Sequence, residues 1–157
     1  MSKLQRSVVL VKPDALQRGL VGEIISRFER KGLKLMAIKM MVFTDEVLDK
    51  WYVQQKVTKI FSDLKKFMTS TPVIAMLWEG LECINSVRKL CGVTKGYEAE
   101  GGSIRGDFSI SGQHNIIHAS DSIETGKKEQ DLIFDKDEIF DYDKDDYLWV
   151  YSLEERE

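Results

Sequence analysis

Four short apolar runs set between amphipathic helical stretches predict an α/β (α+β) chain, a four-stranded antiparallel sheet with helices covering it in a single domain. Two further observations support one unit. No segment repeats, and 157 residues suit one compact domain that buries roughly two-thirds of its unfolded surface and needs no disulfide or structural metal. With 43% apolar and 31% charged residues the balance is ordinary for a globular chain, and two prolines with eleven glycines leave no room for a long low-complexity linker.

The first strand is Ser7 to Val11, a continuous apolar run closed by Lys12-Pro13-Asp14, a turn or a helix start where proline is tolerated. Residues 21, 24, 25 and 28 are apolar at i, i+3, i+4, i+7, so a helix follows, and Gly32 suits the C′ position beyond it. Leu33 to Phe43 alternates in part and reads as the second strand. Thr44-Asp45-Glu46 then caps a helix running to about Gln55, and Lys59 to Thr69 gives another. Thr71-Pro72 closes that helix before the strand Val73 to Trp78; Leu81 to Leu90 is helical, with Gly92 just past its end. The glycine-bearing stretch from Gly92 to Gly106 reads as a long loop of a kind that is usually functional. Phe108 to Ile110 and Ile116-Ile117 give the fourth strand or its approaches, and Ser120 to Phe134 a last helix capped by Ser120-Asp121. The order β-α-β-(αα)-β-α-loop-β-α is that of a ferredoxin-like, split βαβ sheet with helices covering a face. Residues 135–157 form an acidic extension whose Phe140, Tyr142, Tyr147, Trp149 and Tyr151 argue that it packs on the body or on a neighbouring subunit.

A net charge of −3 argues against general affinity for nucleic acid or anionic membranes, though a local basic pocket remains open. The polar start Met1 to Arg6 is unlike a signal peptide and no 18 apolar residues follow one another, so a cytoplasmic location is expected. Cys83 and Cys91 lie about 12 Å apart along a helix axis and cannot bridge there; they read as packing residues. His114 and His118 are four apart, and if the segment is a strand rather than a helix that spacing spreads them too far to share a metal.

The run Asn115-Ile116-Ile117-His118-Ala119-Ser120-Asp121 puts a histidine at the end of a buried β-branched pair and before a small polar corner. Imidazole is the side chain best suited to act as a nucleophile or proton carrier near neutral pH. A partly buried, merely structural histidine is the competing reading. Lys12, Arg88, Thr94 and Arg105 fall at element ends or in the glycine-bearing loop, and such a set suits a polyphosphate, whose transfer is catalysed mainly by positioning and by cations. Arginine clamps two oxygens, lysine supplies a point charge and threonine a hydroxyl. Neither a Walker A loop nor a kinase-type GxGxxG occurs, which disfavours those folds.

The blocks Lys12-Pro13-Asp14, Gln17 to Ile25, Trp78-Glu79-Gly80, Arg88, Gly102 to Phe108 and Asn115 to Ser122, in this order across nearly the whole chain, resemble the nucleoside diphosphate kinase family. The resemblance implies a ping-pong reaction in which a nucleoside triphosphate passes its γ-phosphoryl to His118 and a nucleoside diphosphate then takes it. It also implies that Lys12, Arg88, Thr94, Arg105 and Asn115 hold phosphates and ribose and that Tyr52 lies beside His118. Ser120 and Glu129 stand behind the imidazole, Glu129 orienting it. Asp121 lies near the metal-bound phosphates, reaching Mg2+ through water. By composition alone Glu129 would be a solvated helix charge. A homohexamer is the expected assembly.

Three parts of the chain depart from the family's pattern. Ile60, within Thr58-Lys59-Ile60-Phe61, stands where the family stacks a phenylalanine on the nucleobase, and Gly112 replaces a second apolar residue there, so weaker base binding is expected unless Phe61 turns in. Ala119 follows the nucleophile in place of glycine, tolerable if its φ is negative. Lys95-Gly96 and Gly101 replace prolines and an asparagine in the loop before Arg105, which raises its unfolded-state entropy. The altered base slot motivates an alternative reading, a catalytically weak nucleotide sensor or scaffold; intact His118, Lys12 and Arg105 favour the enzyme. A nucleic-acid-binding module lacks its aromatic motif and basic surface.

Overall fold

Alternation along the first strand decides the layering. In β1 (Leu4–Val11) Val9 and Val11 join one buried cluster while Val8 and Leu10 join another, so the strand is apolar on both faces and helices must cover both. The sequence reading had helices over one face; the structure, a computed structural model describing residues 4–52 and 59–156, has them on two.

The sheet order is β2-β3-β1-β4, all pairs antiparallel, with β2 spanning Lys34–Met41, β3 Val73–Leu81 and β4 Ile117–Ala119. This is the ferredoxin-like arrangement. The short helix α1 (Pro13–Gln17) starts on a proline at its first position, where a missing N–H costs nothing. Helix α2 (Val21–Arg30) buries Ile24 and Phe28, and Gly32 at φ +90 ends it as expected. Thr44 accepts from the Val47 amide to cap α3 (Asp45–Trp51); the expected end near Gln55 lies outside the described residues. Helix α4 (Lys59–Met68) buries Phe61 and Met68, and α5 (Cys83–Cys91) buries both free cysteines among apolar neighbours.

Three boundaries are corrected. β3 runs on to Leu81, and Glu82 at φ +47 breaks the chain, so α5 begins at Cys83 rather than Leu81. Phe108 to Ile110 is no strand: Ser103 caps a short helix, α6 (Ile104–Phe108), by accepting from the Gly106 amide. Helix α7 (Ile123–Ile133) is capped by Ser122, not by Ser120-Asp121, because the Ser122 hydroxyl reaches the Thr125 amide and Ser120 is buried elsewhere. The loop before Arg105 also folds back on itself. A Cβ at Gly96 would overlap the Ser109 carbonyl, so glycine there permits a close approach that the Gly96 amide seals on the Ser111 carbonyl at 3.0 Å.

Residues beyond α7 run along the β2 edge. The Phe140 amide donates to the Met36 carbonyl, the Tyr142 hydroxyl to the Leu35 carbonyl, and Lys34, almost wholly buried, pairs with Asp141 at 2.6 Å. Two further short helices follow, α8 (Tyr147–Val150) and α9 (Leu153–Arg156).

Candidate active site

Register places the histidine. His118 pairs with Leu10, whose side chain lies on the face covered by α3, α4 and α7, so the imidazole emerges on that face beside those helices. It sits inside β4, with Ala119 still in the ladder opposite Val9, rather than at a strand-to-loop edge. The left-handed non-glycine residues among those described are Glu82 and Ile116; Ala119 is not one, so alanine costs nothing there.

Ile116 is the strained point. Its φ of +73, with the Ile117 amide donating to the Asn115 carbonyl at 2.7 Å, makes a γ-type turn around a β-branched residue. Strain of this kind costs roughly 1–3 kcal/mol and persists only when neighbours over-determine it. Here they do: the Ile116 amide donates to Asp14 Oδ2 at 3.0 Å, its carbonyl accepts from the Lys12 amide at 2.9 Å, and its side chain is fully buried. The turn allows Asn115 to reach Lys12 while the next residues enter the sheet.

His118 Nε2 lies 2.8 Å from Glu129 Oε1, and the Ser120 hydroxyl donates to Glu129 Oε2 at 2.6 Å while accepting from the Val8 amide at 2.9 Å. An ionised carboxylate can only accept, which assigns the proton to Nε2 and leaves the Nδ1 lone pair free. Glu129 is 8% exposed, so it is no solvated helix charge. Gly126 makes this possible, since a Cβ there would press at 3.1 Å on the Arg6 carbonyl and at 3.3 Å on Ser120 Oγ. The Trp51 ring meets the imidazole edge-on, centroids 5.1 Å apart, and packs on Phe43 behind it. Sequence reasoning missed Trp51 and the support that Asp14 gives; the adjacency of Trp51 to Tyr52 was the available signal.

A cavity of about 680 Å3 is lined by His118 together with Lys12, Tyr52, Ile60, Arg88, Thr94, Arg105, Asn115, Asp121 and Glu129. Of the residues singled out from sequence, Ser120 alone stands behind the wall. Lys12 Nζ donates to Asn115 Oδ1 at 2.7 Å, and Asn115 Nδ2 to the Thr94 carbonyl at 2.9 Å. Burial, then the charge of Arg105, push Lys12 down to about 8 against the partial support of Asp14. Arg105 donates to the carbonyls of Asn115, Gly92 and Ile117 at 3.2, 2.7 and 2.6 Å, and burial lowers its pKa. Of its five N–H groups these bonds use three, leaving two for an anion. Burial, then the charge of Glu129, push the Tyr52 phenol up to about 12, so it keeps its proton. Asp121 is held below the usual carboxylate range chiefly by a hydrogen bond with Thr125. Among the described residues no three His, Cys, Asp or Glu side chains gather into a metal-holding group.

The far end of the cavity is looser. Ile60 is 65% exposed at its wall, followed along the same face of α4 by Asp63, Leu64 and Phe67. Phe61 does not turn in; it is buried, its ring edge-on to Tyr52. A Cβ on Gly112 would meet nothing closer than Lys95 Cγ at 3.7 Å, so the slot beside it is open.

A family model described as nucleoside diphosphate kinase matches residues 5–139. A protein named nucleoside diphosphate kinase from Parabacteroides distasonis is 46% identical over 97% of this chain and 99% of its own length. Among solved structures, a halophilic nucleoside diphosphate kinase from Halobacterium salinarum in complex with CDP superposes with a TM-score of 0.92 at 42% identity, covering 94% of this chain and 99% of that one. A nucleoside-diphosphate kinase from Borrelia burgdorferi, a transition state mimic with bound vanadate and ADP, gives 0.88 at 35% identity, covering 96% and 100%.

Proposed function

The chain belongs to the nucleoside diphosphate kinase family and carries out its reaction, passing the γ-phosphoryl of a nucleoside triphosphate to a nucleoside diphosphate; within that frame we propose the following roles. The observation that carries them is the imidazole with Nε2 committed to Glu129, set in one cavity with Lys12, Arg88, Thr94, Arg105 and Asn115. The Nδ1 lone pair attacks the γ-phosphorus, the bond to the β-γ bridging oxygen breaks, and the diphosphate leaves with that electron pair. No proton has to move, because Nε2 keeps its own and Glu129 stabilises the imidazolium that forms. A terminal β-phosphate oxygen of the second nucleotide then attacks the phosphohistidine, and the nitrogen takes back its pair.

Lys12, Arg88 and the two free N–H groups of Arg105 face the phosphate oxygens, Tyr52 and Thr94 add hydroxyl donors, and Asn115 orients Lys12 and meets the sugar. Ser120 fixes Glu129. The donor set suits a divalent cation that arrives on the nucleotide: one carboxylate, Asp121, would hold Mg2+ through water, and the ion supplies charge neutralisation on the phosphates. Residues 1–157 act as one catalytic domain, whose 135–157 extension covers the β2 edge and contacts a neighbouring subunit. Self-association into a homohexamer is supported by Ile38 and Met40, 49% and 61% exposed on β2. We place its action in the cytoplasm, on free nucleotides; no helix among the described residues is long and apolar enough to cross a membrane.

Incubation with γ-labelled ATP and Mg2+ is expected to give acid-labile, alkali-stable label on the protein that moves to added GDP. His118→Ala abolishes both steps; bound nucleotide without transfer in the unaltered chain would favour the sensor reading.

A further inference from the structure

We propose that Trp51 is a positioning residue for the nucleophile: its indole holds the His118 ring in the orientation that aims Nδ1 into the cavity. The effect on rate rests on the phosphotransfer reading; the hold on the ring does not. The torsion that turns a histidine ring is soft, with two broad wells, and in the wrong well a carbon takes the place of Nδ1. The hydrogen bond between Nε2 and Glu129 fixes one atom of the imidazole and leaves the rest free to rock about it. Trp51 supplies a restraint on the ring itself. Its indole crosses the imidazole at 71° with centroids 5.1 Å apart, an edge-to-face contact that any other tilt of the imidazole would lose.

The indole is itself anchored. Trp51 ends α3, three residues after the fully buried Leu48, so both side chains lie on the side of the helix that faces the sheet. Behind it stands the buried Phe43, ring centroids 5.8 Å away. Phe43 directly precedes Thr44, the cap of α3, so the two ends of this short helix are pinned where the rings meet. Helix α3 also packs on α7, which carries Glu129, so the two restraints on the imidazole come from neighbouring helices and keep register with each other. His118, Tyr52 and Glu129 line the cavity and Trp51 stands behind them, so it acts through the imidazole and not on the nucleotide.

Trp51→Leu, which fills the gap without a ring, and Trp51→Phe, which keeps one, are compared with the unaltered chain. The rate of phosphoenzyme formation at saturating ATP, the calorimetric Kd of ADP and the nitrogen NMR spectrum of the imidazoles in the nucleotide-free protein are measured. Trp51→Leu is expected to slow phosphorylation about three- to tenfold, the scale of one aromatic pair, with ADP affinity within about twofold of the unaltered chain. Its His118 signals should move from a ring protonated at Nε2 toward an average of both tautomers, while those of His114, the other histidine, stay put. Trp51→Phe restores rate and spectrum. An unchanged rate or spectrum in Trp51→Leu, a loss of ADP affinity that matches the loss of rate, or no recovery in Trp51→Phe would overturn the proposal. The spectrum needs no transfer: the expected shift of His118 in a protein that forms no phosphoenzyme would sink the phosphotransfer reading and leave the hold on the ring standing.

Discussion

The two ends of the cavity are built differently. At the phosphate end Lys12, Asn115, Ser120 and Glu129 are buried, and the half-buried imidazole is tied down from several elements: Glu129 of α7 holds His118 of β4, Ser120 holds Glu129, and Asn115 holds Lys12. At the base end an exposed Ile60 and an open Gly112 suffice. The contrast follows from the chemistry. Phosphoryl transfer needs charges placed before the reaction begins, whereas any base has to fit the other end, and stacking tolerates variation.

The largest effect should come from loosening the tight end. In Glu129→Gln the amide can still bond Nε2, but it bears no charge to meet the imidazolium and no longer dictates the tautomer. We expect kcat to fall about 10- to 100-fold, the scale on which partners of a functional histidine act, with ADP affinity unchanged. Stopped-flow phosphorylation by ATP beside calorimetric ADP binding checks this; a change in affinity matching the loss of rate would mean that the two ends are not separate.

Lys12 gives the next test, through pH. Its folded pKa of about 8 lies below the ordinary 10.5. Between those values the unfolded chain holds more protons than the folded one, so stability of the nucleotide-free protein rises with pH across that window on account of this group; below about 8 the cost of burying its charge is present in full. Affinity runs the other way. Above about pH 8 the amine loses the charge that phosphates need, so ADP binding should weaken by up to about tenfold per pH unit. Calorimetry from about pH 7 to about pH 9.5 checks this, and a flat profile would remove Lys12 from the phosphate contacts.

The same contrast governs what was legible in the sequence. The apolar runs of β1 and β3, the α2 periodicity and the Gly32 stop could be read because they are local, period-dependent signals. Phe108 to Ile110 misled because its apolar-polar-apolar alternation resembles a strand, while the Ser103 cap and the Arg105 contacts to distant carbonyls decide for a helix. Glu129 has no local mark of its role: only the close approach at Gly126 and the long-range pairing of β1 with β4 bring it to His118. Nor does any local rule predict that Ile116 takes a positive φ, since Asp14 and Lys12, about a hundred positions away, impose it. Lys12, Arg88, Thr94 and Arg105 stand out in the sequence by residue type and position, Asn115 and Tyr52 only through the family resemblance, and the contacts that bring them into one cavity are ones that sequence spacing does not encode.

The smallest expected effect tests the loose end. Ile60 projects from α4 into open space, with Phe61 committed to the core beside Tyr52, so a larger flat side chain at position 60 displaces nothing that is packed. Ile60→Phe would give the base an aromatic surface and should tighten ADP binding by about 1 kcal/mol, roughly fivefold, while kcat stays within about twofold. Fold stability should hardly change, because the new ring gains its contacts only when a base lies against it. Unchanged ADP affinity in a well-folded variant would mean that the base does not pass Ile60 at all, and that the imprecision of this end reflects disuse rather than tolerance.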